Sequence, residues 1–467
     1  MKEFLSIRIL GVLFMALLIV SCTDDMLTGS DAQPTIPLNA KDCYDFGTLL
    51  TGATSSTQRL IVYNNNKGTI ELESVKLRGG DESAFRINVD GMAGSSFTRP
   101  ELLHIAKGDS LYILMEVTAA KEQQERERTL EDYLDIACNG RTTSVLLKAT
   151  AMNVEQLRDF KLSESTRWDS QGNDKQIFGT LTIPEGVTLT VADSLQLFMH
   201  AEAMIDVYGT LIIEGASTEH PVQILGDRTD KMFDNLYYRD MVGQWGGIRF
   251  NPSSKGNVID HAYIKGMSTG ITLEQEIAQG NEQQLVIRNT TLRNSNASLI
   301  SATSATMTLE NSCLMNSGEA LVALNGGSYD ITHCTLANYQ FWTAYPQYDL
   351  LLSGSLYHCD ITNTIVYGAG KAPNIGLDYQ PTAEGDSIFH YRFDHCLLNA
   401  NGEDDEDFIS IIWGEDPLFK VVDVENYLCD PHLQDESPAR GKGKPSTIQH
   451  DIDGKPRSNP PSIGCYE

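Results

Sequence analysis

Ile259-Asp260-His261, Ile287-Arg288-Asn289, Leu309-Glu310-Asn311, Ile331-Thr332-His333, Ile361-Thr362-Asn363 and Phe393-Asp394-His395 are six copies of one pattern: an apolar residue, one residue of varied type, then Asn or His. The marked polar residues are 28, 22, 22, 30 and 32 positions apart, so a unit of about 22 residues carries insertions of varied length. Repetition at this period is the mark of a solenoid. Short β-type runs within each unit predict a parallel β-helix, in which every rung buries its apolar side chains against its neighbours.

The Asn and His side chains are expected to form an internal ladder, because polar groups buried at a bend must be hydrogen-bonded and a stacked rung supplies the partner. The competing reading makes His261, His333 and His395 metal ligands or general bases. Asn289, Asn311 and Asn363 occupy the same position in the intervening units, and a catalytic or ligand set has no use for them there. The middle residue of each tripeptide is expected to face outward, since strand side chains alternate. That outward stripe reads Asp260, Arg288, Glu310, Thr332, Thr362 and Asp394.

Around this core the chain divides into further parts. Lys2 and Arg8 precede the apolar run Ile9 to Val20, which is too short to span a bilayer and reads as a signal peptide over residues 1–21. Residues 38–152 alternate strand-like runs with turn signals, as in Arg59-Leu60-Ile61-Val62-Tyr63 before Asn64-Asn65-Asn66-Lys67-Gly68, and predict a β-sandwich. Residues 153–429 form the solenoid. Its first motifs are Gly179-Thr180-Leu181-Thr182-Ile183 and Gly209-Thr210-Leu211-Ile212-Ile213, and residues 430–467 are expected to cap its last rung. The fold class is therefore all-β.

Composition narrows the partners. With 35 Lys and Arg against 63 Asp and Glu, the net charge of −28 opposes binding to nucleic acid or to an anionic membrane face. Glu403-Asp404-Asp405-Glu406-Asp407 lacks the Gly turn and spaced ligands of a calcium loop and reads as a solvated loop. No Cys-x-x-Cys occurs, so neither a metal nor a cofactor is expected.

Tyr339-Gln340-Phe341-Trp342-Thr343-Ala344-Tyr345-Pro346-Gln347-Tyr348 concentrates five aromatic rings in ten residues. Aromatic faces on a solenoid are suited to stacking on sugar rings, which makes Trp342, Tyr345 and Tyr348 the candidate carbohydrate-binding residues. The alternative reading places this stretch in the core as a rung strand. Cys43 and Cys138 lie near opposite ends of the sandwich segment and are a candidate disulfide, although connectivity does not follow from sequence.

Several motifs carry resemblances. Ile19-Val20-Ser21-Cys22 resembles the lipobox of bacterial lipoproteins, which implies a lipid on Cys22, a tether over residues 22–37 and attachment to a membrane. Thr23-Asp24-Asp25 is similar to the surface-export signal of Bacteroidetes-type lipoproteins, implying an outer-membrane protein that faces the exterior. Asp45-Phe46-Gly47-Thr48, Phe85-Arg86-Ile87 and Val145 to Ala151 resemble the immunoglobulin-like Hydin-type, or choice-of-anchor D, domain. Gln244-Trp245-Gly246-Gly247-Ile248-Arg249-Phe250 and Gly256 to Ala262 resemble right-handed parallel β-helix proteins. Asp430-Pro431-His432-Leu433, Asp451-Ile452-Asp453-Gly454-Lys455-Pro456-Arg457 and Ile463-Gly464-Cys465-Tyr466-Glu467 closely resemble the choice-of-anchor Q terminus of such proteins. In that pattern Cys465 stands where Ala is usual, and with Cys429 nearby the pair is an expected disulfide. Asp386-Ser387-Ile388 matches an O-glycosylation motif of the same bacteria, with Ser387 as acceptor.

Together these point to a surface lipoprotein whose solenoid presents a face to a glycan or host-surface ligand. The alternatives are a polysaccharide lyase or glycoside hydrolase using the same face, and a structural surface component without a ligand. The motifs of polygalacturonase-like enzymes, Gly-His-Gly and Arg-Ile-Lys, are absent, so the sequence leans away from an enzyme and assigns no catalytic residue.

Overall fold

The computed structural model describes the chain from Met26 onward, except residues 30, 38–42, 100–101, 122–125, 234, 276–281, 341, 343 and 379–387. Cys22 and Ser387, with the lipid and glycan expected on them, lie outside the described residues. The chain divides into two compact units, up to Met152 and from Asn153 onward.

The first unit holds two β-sheets over one core. One has the strand order Cys43–Leu50, Arg141–Met152, Glu127–Cys138, Ile70–Leu77 and Ser96–Phe97; the other orders Gln58–Tyr63, Ser110–Val117, Phe85–Val89 and Met92–Gly94. Period-two alternation puts Leu111, Ile113, Met115 and Val117 of one sheet into the same buried cluster as Val145, Leu147 and Ala149 of the other. Cys43 lies opposite Leu146, whereas Cys138 ends its strand against Leu72 and hydrogen-bonds the Glu71 and Ala32 carbonyls. The two sit at separate places in the sheet, and the bond expected between them is not formed.

The second unit is a solenoid of sequential parallel strands, 25 of them among the described residues, joined into one continuous sheet. Leu285 pairs with Met307, Met307 with Tyr329, and Tyr329 with Cys359, so the coil of 22 residues lengthens to 30 where a loop is inserted. Gly179 and Gly209, alike in sequence, open different faces of the coil. Thr180 pairs with Met204, while Thr210 pairs with Thr188. Each coil sends its apolar residues to a common interior running from Leu157 to Leu398, in which Trp245, Phe250, Tyr329 and Phe393 are essentially inaccessible. A row of aliphatic rungs buries apolar area on both sides of every coil and supplies most of the stabilisation.

The end of the solenoid is closed from within. Phe393 and Phe408 stack with centroids 5.0 Å apart and planes at 7°, and Trp413 lies 5.2 Å beyond Phe408. The last strands shrink to two residues each, Phe408–Ile409 and Ile412–Trp413. These rings pack against the end of the interior cluster.

The C-terminal segment turns back along the flank. Lys444 Nζ reaches Asp394 Oδ2 at 2.6 Å, Arg457 Nη2 donates to Asn311 Oδ1 at 2.6 Å, and the Thr218 hydroxyl donates to the Ile452 carbonyl. Along its course Ile452, Ile463, Cys465 and Tyr466 build a second small core with Cys313, Met315, Ile365 and Leu397 of the rungs.

Candidate functional site

Each coil turns first at the Asn or His of the repeated tripeptide. All six take the left-handed backbone conformation, with φ of 49° at His261, 49° at Asn289, 46° at Asn311, 53° at His333, 51° at Asn363 and 54° at His395. Asn and His tolerate this region better than most residues carrying a Cβ, which explains why these two types alternate at one position.

Their side chains make two short ladders, not one continuous ladder. Asn289 donates to Asp260 at 2.9 Å and Asn311 to Asn289 at 2.8 Å; separately, Asn363 Nδ2 lies 2.9 Å from His333 Nε2. The C-terminal segment completes them. Lys444 exchanges two backbone hydrogen bonds with the Asn363 amide at 2.7 Å each, and Ser446 lies 3.1 Å from His333 Nε2.

His333 is wholly buried, and its Nδ1 faces the Gly464 carbonyl at 3.3 Å. A carbonyl only accepts, so Nδ1 carries the proton and Nε2 receives bonds from Asn363 and Ser446. Burial first, then the Arg457 charge, push the imidazole down to about 3. It is neutral across the physiological range and has no opening to a substrate. His395 bonds its own neighbour Asp394 at 2.6 Å, and His261 pairs with Asp260 at 2.8 Å.

The outward stripe is confirmed at Asp260 and Arg288, which pair at 2.8 Å. Burial raises the Asp260 carboxyl, but hydrogen bonds from His261, Asn289 and Arg288 outweigh it and hold the group at about 2. Asp394 departs from the stripe. It is buried under Lys444 because the returning segment covers it.

The second turn of the coil has a different character. Asn294 and Asn316, also left-handed at φ 62° and 64°, bond at 3.2 Å, forming an amide pair that the tripeptide search missed. Their spacing of 22 residues, continued by Asn338, was the available signal. From Asn338 onward this turn expands into loops on three successive coils: the described residues of 339–349, then 369–374 and 399–407.

These loops line two adjoining clefts that share Pro373. One of about 520 Å³ is bounded by Tyr345, Gln347, Tyr348, Gly370 and Lys371; the other, about 340 Å³, by Leu377, Glu403, Asp405, Phe408 and Trp413. Two glycines set the rings. A Cβ at Gly376 would stand 2.5 Å from the Tyr348 ring, and one at Gly402 would stand 2.6 Å from Trp413. Each ring therefore lies flat on a glycine backbone with no room for a methyl group. The acidic loop supports the second ring: Asp404 accepts from Trp413 Nε1 at 3.1 Å and from the Ser410 and Ile411 amides at 2.8 and 3.2 Å.

Beneath this turn Asp349 is buried and receives Asn338 and Asn374 amide protons at 2.9 Å each. Burial raises its carboxyl and the two amides partly offset the rise.

Of the three aromatic residues expected to bind sugar, Tyr345 and Tyr348 share the larger cleft. Trp342 points elsewhere and stacks on Tyr427 at 6.3 Å with planes at 6°. The described residues between Asn338 and Leu350 lie in a loop and not in a rung strand, because Asn338 and Leu350 belong to different coil faces. Trp413 and Phe408 were missed, since they are 60 residues or more from that segment and only the strand register brings them near.

The expected Cys429 to Cys465 disulfide is also not formed. Cys465 lies within the small core beside Cys313, whereas Cys429 is at its edge. Among the described residues no group of three or more His, Cys, Asp or Glu side chains could hold a metal ion.

No family model matches the chain. No curated protein matches it either. Among solved structures it is similar to the catalytic domain of a GH87 alpha-1,3-glucanase variant in complex with tetrasaccharides, with a TM-score of 0.24 and 10% identity over 78% of this chain and 87% of that one. The same catalytic domain with nigerose gives a TM-score of 0.20 and 7% identity over 77% and 88%. Likeness at this level transfers neither residues nor substrate. The sequence's leaning away from an enzyme is withdrawn, because it rested only on missing linear motifs. That premise was narrow. Missing Gly-His-Gly and Arg-Ile-Lys motifs test polygalacturonase-like enzymes alone, whereas a solenoid assembles carboxylates from loops of separate coils.

Proposed function

We propose that the solenoid is a carbohydrate-active protein that engages a polysaccharide along the paired clefts of its second turn. One observation carries this reading: Tyr345, Tyr348, Phe408 and Trp413 line adjoining clefts together with Glu403, Asp405 and Lys371. Aromatic faces supply apolar area matched to sugar rings, and the ionic groups bond sugar hydroxyls. Carboxylates beside such a platform are also the groups that glycoside cleavage requires, one as acid and one as base or nucleophile. Glu403 and Asp405 are the residues to test for that role.

The finer architecture belongs to the same proposal. The solenoid is read as a right-handed parallel β-helix, supported by its 22-residue parallel register, and the first unit as an immunoglobulin-like domain, supported by its two sheets over one core. Residues 1–21 are read as a signal peptide, with lipid on Cys22, tethering to the outer membrane facing outward, and glycan on Ser387; the lipobox-like and Asp-Ser-Ile motifs support these readings.

A panel of neutral and uronic-acid polysaccharides, scored for both retention of the protein and release of reducing ends or unsaturated products, tests the proposal. Retention or product release on at least one polymer, lost in Trp413→Ala and Tyr348→Ala, is the expected result. Equal behaviour of the wild type and both variants on every polymer would sink it.

A further inference from the structure

Eight cysteines lie among the described residues, and their surroundings differ. Cys334 and Cys396 are inert in place: their Sγ atoms bond the Leu309 carbonyl at 3.5 Å and the Ile361 carbonyl at 3.3 Å, as small core residues do. Cys359 is likewise buried in the solenoid interior. Cys313 faces the other way, out of the rung and into the small core beneath the C-terminal segment.

There it meets Cys465. The backbone amide of Cys465 donates to Thr335 Oγ1 at 3.1 Å, and Thr335 is the register partner of Cys313 on the adjoining coil. The returning chain is thus pinned with its penultimate turn over Cys313. The two thiols share this core with the Tyr466 ring, and neither is exposed to solvent. Cys429, on the hairpin formed by Phe419–Asp423 and Leu428–Leu433, packs against the edge of this core.

We propose that Cys313 and Cys465 are a disulfide pair that staples the C-terminal segment to the flank of the solenoid. The oxidant is a small or protein disulfide. A thiolate of one cysteine attacks it and releases one reduced thiol. The second cysteine then attacks the mixed disulfide, forming the Sγ–Sγ bond and releasing the other thiol. Two protons and two electrons leave the pair, and the external disulfide is reduced to two thiols. The neighbouring Cys465 side chain and burial both raise the Cys313 thiol in the docked state, so exchange belongs to the moment when the segment is settling onto the rungs. Once closed, the bond ties residues 152 positions apart and removes from the unfolded chain the freedom of a long loop.

The test uses the full chain exported into an oxidising compartment, denatured in the presence of an alkylating reagent, and digested without reduction. The expected product is a cross-linked peptide pair containing Cys313 and Cys465, retained in Cys429→Ser. The denaturation midpoint should fall when the bond is reduced in the unfolded chain before refolding. Alkylation of both Cys313 and Cys465, or a cross-link from either to Cys429, would overturn the proposal.

Discussion

The first and second turns of the coil start from the same kind of residue and end in opposite conditions. At the first turn, left-handed Asn311, His333 and Asn363 are closely bonded and covered by the returning C-terminal segment, while His261 and Asn289 border a cleft of about 430 Å³ beside that segment. At the second, left-handed Asn294 and Asn316 give way to long loops whose aromatic and acidic side chains border open clefts. A repeated histidine draws attention as a catalytic residue, yet here it serves the backbone. The difference places function in the insertions and stability in the repeats.

The covered turn can be broken most strongly through the segment that covers it. Ile463 is fully buried between that segment and the rungs, so Ile463→Ala should cost about 2–4 kcal/mol in chemical denaturation. A loss below about 1 kcal/mol would mean that the segment is only loosely laid on the flank.

Acid provides the next largest effect. The folded His333 pKa of about 3 lies below its unfolded value of 6.5, so between these limits the unfolded chain binds the extra proton. Stability therefore falls as pH drops below 6.5, by about 2–3 kcal/mol between pH 7 and pH 4.5 from this group. His333→Asn, the residue type of the neighbouring coils, should remove that portion of the pH dependence. An unchanged profile in thermal unfolding from pH 7 to 4.5 would place the sensitivity elsewhere.

Asn311→Ala should cost about 2–3 kcal/mol, since Ala suits the left-handed turn poorly and Arg457 loses its acceptor. Asn311→Gly relieves the backbone part and should recover about 1 kcal/mol of that loss. The two variants separate conformation from hydrogen bonding in the same denaturation assay. At the exposed edge, Arg288→Ala should change stability by less than about 1 kcal/mol despite its 2.8 Å pairing with Asp260.

How much of this was legible in the chain follows from what each feature demands of sequence. A left-handed turn in every coil, 22 to 32 residues apart, restricts the residue type at each turn, so the tripeptides were visible and so was the coil. The returning path was not. Thr218 meets Ile452 across 234 positions, and nothing local at either residue marks the other. Trp413 and Phe408 were hidden for the same reason, although the density of rings from Phe389 to Trp413 beside an acidic loop was a usable sign. Trp342 misled because adjacency along the chain suggested one face, whereas the loop turns it toward Tyr427 and away from Tyr345 and Tyr348.

The most direct test sets the two turns against each other in one polysaccharide assay that scores binding and product release. Tyr345→Ala and Tyr348→Ala, at the open turn, should lower the response tenfold or more while leaving the unfolding midpoint nearly unchanged. His261→Asn and His395→Asn, at the first turn, should retain the wild-type response. Loss of activity in the histidine variants, with the tyrosine variants unaffected, would contradict the account.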